Sequence, residues 1–368
     1  MLSRVEATLP FENAVSPSIS VIASPPRRVL LVKLSSLGDV VHALPLAESL
    51  RAGLGPEAFL GWVVQSKFAP LLDGNPHLSA IYELQSKSAR PILQTGELLR
   101  AQGFEVVLDA QGLLVSGLMT WLSRARLRIG LDKNREGNRF FLTHPVVAAR
   151  QREHIVSKLL GFCDALGLPR VAPRPQTYLA NGEAEAASTL LEKAQSSGGP
   201  IVGCIIGAST PDKAWPVERW MELSQTLAGT GARIVLLGGT TETETARQIL
   251  GQSRGDFVFD LTGQTTPRVL ASVLARCAAV VGGDSGPTHL AVAVGTPVVG
   301  LYGVTDPLQT GPDWGPSPAV VLDFAEADAP AHLRRPRHAT LPDAMARIPA
   351  SAAVQAVQTL LRSVPTKT

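Results

Sequence analysis

The clearest candidate for chemistry is a glycine-rich stretch, Gly282 to His289, which reads GGDSGPTH. An apolar run precedes it and an apolar helical run follows it, so the pattern predicts a strand, a turn and a helix. In an open α/β sheet, such a turn lies at the carboxyl end of a strand, where ligands bind. Its N–H groups favour an anion, whereas the carboxylate of Asp284 would repel a bare phosphate. We therefore expect a ligand with hydroxyl groups beside its phosphates, such as a nucleotide sugar.

Other turns at predicted strand ends support the same kind of ligand. Ser209 and Thr210 offer hydroxyl groups and Lys213 offers a mobile cation, which together suit a diphosphate. The alternative interpretation of Lys213 is an ordinary surface lysine. Glu242 could bind a ribose diol, or could simply be an exposed residue in the first turn of a helix. The turns that carry these residues, with one more at a neighbouring strand end, begin at Gly207, Gly238 and Thr262.

A second carboxylate, Asp39, follows the first predicted strand at the start of a helix. One interpretation is a helix N-cap. The other is a general base that takes the proton of a hydroxyl attacking a sugar's anomeric carbon, while cationic groups stabilise the departing diphosphate. No Asp-x-Asp sequence occurs, so a divalent metal on the diphosphate is not indicated. Lys213 and backbone N–H groups would serve instead, and we expect no metal and no cofactor.

Strands that alternate with helices predict parallel βαβ units in two α/β domains, each with a doubly wound sheet. Three prolines between Pro169 and Pro175 indicate a boundary. We predict a flexible arm over residues 1–27, an acceptor-binding domain over 28–172 and a donor-binding domain over 173–345. A helix and tail over 346–368 are expected to pack back on the first domain. After Pro307 the chain looks irregular to about Ala344.

Composition narrows the function class. The formal net charge of +3 over 368 residues, without a nucleic-acid-binding signature, argues against nucleic acid as a partner. No apolar run is long enough to span a bilayer, and the arm lacks the pattern of a secretory signal. Arginine-rich residues 124–152 are either a solvated loop or a surface for an anionic acceptor or membrane. Widely spaced cysteines in apolar segments indicate reduced, buried thiols: Cys163, Cys204 and Cys277.

Four motifs together resemble the ADP-heptose:lipopolysaccharide heptosyltransferases, glycosyltransferase family 9. They read VKLSSLGDVVHALP, DAQGLLVSG, DKAWP and GGDSGPTHLAVAVGTPVVGLYGVTDP. The first two are most similar to heptosyltransferase I. The resemblance implies the GT-B arrangement, two facing Rossmann-like domains. It also implies an inverting, metal-independent transfer of heptose from ADP-L-glycero-D-manno-heptose to Kdo-lipid A.

Site roles also follow from this resemblance. Asp39 matches the catalytic base, and Lys213 the lysine on the donor phosphates, with Ser209 and Thr210 beside it. Asp284 matches the carboxylate that holds heptose hydroxyls. Glu242 matches the ribose ligand, with Glu244 as the alternative. The residues matching the diphosphate-binding turn are Ser285, Gly286 and His289. The residues matching the acceptor side are Ser35, Ser36, Gly38, Gln111 and Arg135.

The resemblance further implies a monomer with a nucleotide-sugar donor and a lipid A-type glycolipid acceptor. It would be cytoplasmic and peripheral at the inner face of the inner membrane. Two departures bear on the acceptor: Val115 stands where a lysine is frequent, and residues 329–348 lack the family's cysteines. The alternatives are a transfer with another donor or acceptor, as in heptosyltransferase II, a UDP-sugar epimerase, and a non-catalytic sugar-binding protein.

Overall fold

The computed structural model describes residues 24–131, 135–146, 153–172, 181–253, 256–323 and 343–363. The chain divides into two compact units, whose described parts are residues 24–172 and 181–363. The predicted domain boundary borders residues 173–180, which lie outside the described residues. Most of the predicted arm (residues 1–23) and most of the cysteine-free segment (residues 329–342 of 329–348) also lie outside them.

The first unit is built on a parallel sheet with the strand order β3-β2-β1-β4-β5-β6. From β1 the chain adds strands first towards one edge of the sheet (β2, β3) and then towards the other edge (β4, β5, β6). The neighbouring strands β1 and β4 therefore form a topological switch point. The strands are β1 (Arg28–Val32), β2 (Phe59–Gln65), β3 (Ala80–Leu84), β4 (Val106–Asp109), β5 (Leu127–Leu131) and β6 (His144–Val146). The helices are α1 (Leu37–His42), α2 (Leu44–Leu54), α3 (Ala89–Ala101), α4 (Leu114–Leu122) and α5 (Ile155–Ala165).

The second unit repeats this plan with the strand order β12-β11-β10-β7-β8-β9, so its switch point lies between β7 and β10. The strands are β7 (Ile201–Ile205), β8 (Arg233–Leu237), β9 (Val258–Asp260), β10 (Ala279–Gly283), β11 (Val298–Tyr302) and β12 (Ala319–Asp323). The helices are α6 (Asn181–Ser196), α7 (Val217–Gly229), α8 (Thr243–Gln252), α9 (Pro267–Ala275), α10 (Gly286–Ala293), α11 (Pro307–Thr310) and α12 (Ala350–Ser363). Both Rossmann-like sheets confirm the predicted fold class.

Continuous apolar runs form the central strands because both faces of each sheet are covered. Every residue of β7 and β8 is buried. The three cysteines are free and buried, as predicted, and burial raises the pKa of the Cys163 and Cys277 thiols to about 12. Within the part of the chain that the structure describes, no helix has the length and hydropathy needed to cross a membrane.

Two separate helices, α1 and α2, follow β1 and meet at Ala43. Pro45 lies in the first turn of α2, where no backbone N–H is needed, and it could not donate the hydrogen bond that would continue α1. One local prediction is corrected. The stretch after Pro307, predicted to be irregular, contains α11 and the edge strand β12.

The last helix, α12, packs on the second unit, contrary to the expectation from the sequence. Its buried face includes Ala353, Val357 and Leu360, which join the core of that unit. This spacing places apolar side chains on one side of a helix, and that side covers α7 and the adjoining sheet. Trp215 holds the segment just before α12 in place, since its indole N–H donates to the carbonyl of Ile348 at 3.0 Å.

Candidate active site

Lys213 and Asp284 form an ion pair at the switch point of the second sheet. Lys213 ends a short 3-10 helix in the loop after β7, and Asp284 directly follows β10. Their Nζ and Oδ2 atoms lie 3.1 Å apart, with the side chains 24% and 11% exposed. The parallel pairing of β7 with β10 brings the two loops together, so the strand order creates this pair.

Asp284 is also bound by His289 from the first turns of α10. The Nε2–Oδ1 distance is 3.0 Å, and because an ionised carboxylate can only accept, Nε2 carries the hydrogen. Burial by itself raises the pKa of Asp284, but the hydrogen bond and charge of His289, together with the Lys213 ammonium, hold it well below the usual range. Asp284 is therefore a fixed, ionised acceptor of hydrogen bonds.

The turn around Asp284 leads directly into α10, so the first N–H groups of that helix are available to a ligand at this strand edge. Ser285 precedes α10 and Gly286 begins it, so the positive end of that helix lies at this strand edge. The Thr288 hydroxyl donates to the Gly283 carbonyl at 2.7 Å and closes the turn. A side chain at Gly282 would bring its Cβ within 2.5 Å of the Thr288 Oγ1 atom, which explains the glycine there.

The hydroxyl residues predicted beside Lys213 lie in the same loop. Ser209 and Thr210 are exposed, and Thr210 is the residue before the short 3-10 helix that ends at Lys213. The loop therefore presents two hydroxyl groups and an ammonium at one strand end, the arrangement that the sequence predicts for a diphosphate.

Glu242 lies across the ends of β7 and β8. Its Oε2 atom accepts the Gly239 N–H at 2.7 Å, and a Cβ atom at Gly207 would lie 3.1 Å from its carboxyl carbon. The sequence left Glu244 as an alternative. That side chain pairs with Arg247 one turn along α8 and is mostly exposed, so Glu242 is the carboxylate at the strand edge.

In the first unit, Asp39 is held from two sides. It is the third residue of α1, and Ser36 is the N-cap, so the N-cap interpretation of Asp39 is wrong. Its Oδ2 atom accepts from the Ser36 N–H and hydroxyl groups, each at 2.9 Å, and the bond from the Ser36 N–H belongs to a capping box. Its Oδ1 atom lies 3.1 Å from Lys33 Nζ. The side chain remains 40% exposed, so solvent and ligands can reach it.

The pKa of the Asp39 carboxyl is lowered. Burial acts in the opposite direction, but the Lys33 charge and the Ser36 hydrogen bonds outweigh it. The sequence analysis missed Lys33, which is only 3% exposed although lysine is rarely buried without a partner. A lysine directly after the buried run of β1 was the available signal.

Gln111 fastens the same strand end. It follows β4, and its Oε1 atom accepts the N–H groups of Leu34 at 3.0 Å and Ser35 at 3.1 Å. The side-chain amide oxygen of Gln111 thus shapes the loop that carries Ser35 and Ser36, whereas the family resemblance implies that this residue contacts the acceptor. Gly38 is buried inside α1.

Arg135 is joined to the turn after β4. Its N–H donates to the Gly112 carbonyl at 2.9 Å, and its side chain is exposed. The fully buried Asp109 accepts from the Gly112 N–H at 3.0 Å and from Asn138 Nδ2 at 2.7 Å. Asn138, which the sequence analysis missed, thereby holds the Arg135 segment against the turn. Val115 packs against the core of this unit, which accounts for an apolar residue there.

No group of three or more His, Cys, Asp or Glu side chains within the described residues could hold a metal ion. Metal independence nevertheless stays a prediction, because such a cation can also be held by the ligand's own phosphates.

Several known proteins are similar to this chain over most of its length. The profile of "Glycosyltransferase family 9 (heptosyltransferase)" matches residues 92–335. Lipopolysaccharide heptosyltransferase 1 of Pseudomonas aeruginosa is 31% identical over 305 residues, covering 77% of this chain and 81% of that protein. Escherichia coli heptosyltransferase WaaC solved with ADP superposes with a TM-score of 0.69 at 26% identity, covering 90% and 99% of the two chains. Its complex with ADP-2-deoxy-2-fluoro heptose gives 0.67 at 27% identity, with the same coverage.

Proposed function

Since the chain belongs to glycosyltransferase family 9 and is a heptosyltransferase of lipopolysaccharide core synthesis, we propose that it transfers heptose from ADP-L-glycero-D-manno-heptose to Kdo-lipid A. The observation that carries the donor assignment is the Lys213–Asp284 ion pair beside the start of α10. It offers a cation and helix N–H groups to a diphosphate, and a carboxylate to sugar hydroxyls. The relative solved with an ADP-heptose analogue supports the same donor.

On the donor side, Lys213 contacts the diphosphate while Asp284 accepts hydrogen bonds from the heptose. An ammonium has three N–H donors, so Lys213 can bind phosphate oxygens and still face Asp284. Ser209, Thr210 and the first N–H groups of α10 complete the phosphate contacts. As the bond to ADP breaks, negative charge grows on the diphosphate, and these groups stabilise it without a metal ion. Glu242 takes the ribose hydroxyls.

On the acceptor side, Asp39 removes the proton from the attacking Kdo hydroxyl. The oxygen bonds to the anomeric carbon on the face opposite to the diphosphate, ADP leaves with the bonding electrons, and the anomeric configuration inverts. The low pKa keeps Asp39 ionised and ready to accept at neutral pH.

We test the donor by thermal unfolding with a panel of nucleotide sugars. ADP-heptose should raise the unfolding temperature, because a ligand that binds only the folded state stabilises it according to its concentration over Kd. UDP-glucose and GDP-mannose should have little effect at the same concentration. Stabilisation by a UDP-sugar and not by ADP-heptose would reject the donor assignment in favour of another glycosyltransferase activity.

The peripheral membrane location is supported by an exposed surface that we call the α4 patch: Leu114, Trp121, Arg124, Arg139 and Phe140. Trp121 is 40% and Phe140 77% exposed. The guanidinium groups of Arg124 and Arg139 lie 4.7 and 5.1 Å from the Trp121 and Phe140 ring centroids. Aromatic rings beside cations suit the interface of an anionic bilayer. Arg128, by contrast, is structural, since its Nε donates to the Phe141 carbonyl at 2.7 Å.

The double variant Trp121→Ser/Phe140→Ser should lose most of its binding to vesicles that contain phosphatidylglycerol. Burying each aromatic side chain contributes about 1.5–3 kcal/mol, so the loss should be at least about tenfold. Co-sedimentation measures it, with Leu308→Ser as control, because Leu308 is an exposed leucine of the other unit. Equal binding of the double variant and the control, or equal binding to phosphatidylcholine vesicles, would contradict the assignment.

A further inference from the structure

Lys33 is an ionisable side chain that the proposed chemistry does not use directly, and its backbone is fixed on both sides. It directly follows β1, where Val32 pairs with Val63 of β2 and with Asp109 of β4. The Lys33 N–H donates to the Val63 carbonyl at 3.3 Å, and the Trp62 indole N–H donates to the Lys33 carbonyl at 3.0 Å. The side chain therefore starts from a rigid point in the middle of the sheet.

The ammonium of Lys33 connects two loops of the candidate site. Its Nζ atom donates to the Ala110 carbonyl at 2.9 Å, at the end of β4, and lies 3.1 Å from Asp39 Oδ1 on α1. Lys33 thus spans the switch point between β1 and β4, the place in the first unit where a ligand is expected.

Stability alone is a weak explanation for a buried Lys33 ammonium whose carboxylate partner, Asp39, is itself 40% exposed. Removing a charged group from water is costly, and replacing buried ion pairs by apolar residues is often neutral or stabilising. A methionine could fill much the same space among these strands. The ammonium of Lys33 is better explained by what it does to the neighbouring Asp39 carboxylate, which it contacts at 3.1 Å.

We propose that Lys33 is a positioning residue that fixes the Asp39 carboxylate through its Oδ1 atom. With Ser36 holding Oδ2, the carboxylate cannot rotate, and the remaining lone pairs on its exposed side face an incoming hydroxyl. Lys33 itself touches neither donor nor acceptor. This inference rests on the proposed role of Asp39 as the base.

The test compares Lys33→Met, Lys33→Gln, Asp39→Asn and the double variant Lys33→Met/Asp39→Asn, with Lys87→Met, an exposed lysine of the same unit, as control. Both Lys33 variants should lower kcat by about ten- to a hundredfold, because a misplaced catalytic group costs factors of this size, while KM for ADP-heptose stays within about twofold. Circular dichroism and the unfolding temperature establish that each variant is folded. Two different replacements of Lys33 are used so that the test still works if one of them does not fold.

The pH profile distinguishes positioning from a structural role. Without the Lys33 charge, the pKa of Asp39 rises, so the acid limb of kcat/KM should move to higher pH in both Lys33 variants and stay in place in Lys87→Met. In the Asp39→Asn background, Lys33→Met should cause no further loss, because Lys33 acts through Asp39.

Folded Lys33 variants with wild-type kcat and an unmoved acid limb would overturn the inference, as would an equal loss from Lys33→Met in both backgrounds. Full activity of Asp39→Asn alone would instead reject the proposed base. Failure of the Lys33 proposal and failure of the Asp39 assignment therefore give different results.

Discussion

Asp39→Asn should lower kcat by about 100- to 10,000-fold, the contribution usual for a general base, while the affinity for ADP changes by less than about twofold. The amide has nearly the same shape and still accepts a hydrogen bond from Ser36, but it cannot take a proton. The proposed contacts of ADP all come from the second unit, so the nucleotide should bind as before. Steady-state kinetics and isothermal titration calorimetry with ADP measure the two effects.

The matched control is Asp73→Asn, an exposed aspartate of the same unit, which should keep wild-type turnover. Asp39→Asn also leaves the buried Lys33 ammonium without its carboxylate partner. The unfolding temperature of the variant is therefore measured at the assay pH, and it must lie above the assay temperature. A folded Asp39→Asn protein with undiminished turnover would show that another group takes the proton.

Lys213→Met should weaken nucleotide binding and Asp284→Asn should not, although both substitutions break the same ion pair. Hydrogen bonds to charged groups contribute about 1.5–3 kcal/mol, so Lys213→Met should weaken ADP binding by about 10- to 100-fold. Asp284→Asn removes a negative charge beside the diphosphate, so ADP should bind equally well or more tightly. The same substitution should lower kcat/KM for ADP-heptose by about 10- to 100-fold, because the carboxylate that accepts the sugar hydroxyls is lost.

Calorimetry with ADP and kinetics with ADP-heptose separate these effects, and Lys193→Met, an exposed lysine of α6, is the control. The division of roles between phosphate and sugar is wrong if Lys213→Met keeps its ADP affinity. It is equally wrong if Asp284→Asn weakens ADP and ADP-heptose by the same factor.

Much of this site could be located from the sequence, because strand ends and turns have local signatures. The glycines around Asp284, the apolar run before it and the helix after it indicate a ligand-binding turn without any knowledge of the rest of the chain. The same holds for Asp39 at the start of α1. Parallel strands place such turns on one edge of a sheet, so their grouping within each unit also followed from the predicted alternation of strands and helices.

The pairings between side chains could not be predicted in this way. Lys213 and Asp284 are 71 residues apart, and they meet because β7 and β10 are neighbours, which depends on strand order. Lys33 follows an apolar run, which is visible in the sequence. Its pairing with Asp39 depends on the direction in which α1 leaves the sheet, which is not. Gln111 shows a related limit: its position after β4 was evident, but its use in fastening Leu34 and Ser35 depends on the approach of two strand ends.

The most direct test of the account is mass spectrometry of the products formed from ADP-heptose and defined Kdo-lipid A. The wild-type protein should release ADP and add one heptose to the acceptor, with inverted anomeric configuration, and Asp39→Asn should form almost no product under the same conditions. The absence of any heptosylated Kdo-lipid A with the folded wild-type protein, or equal product from Asp39→Asn, would contradict it.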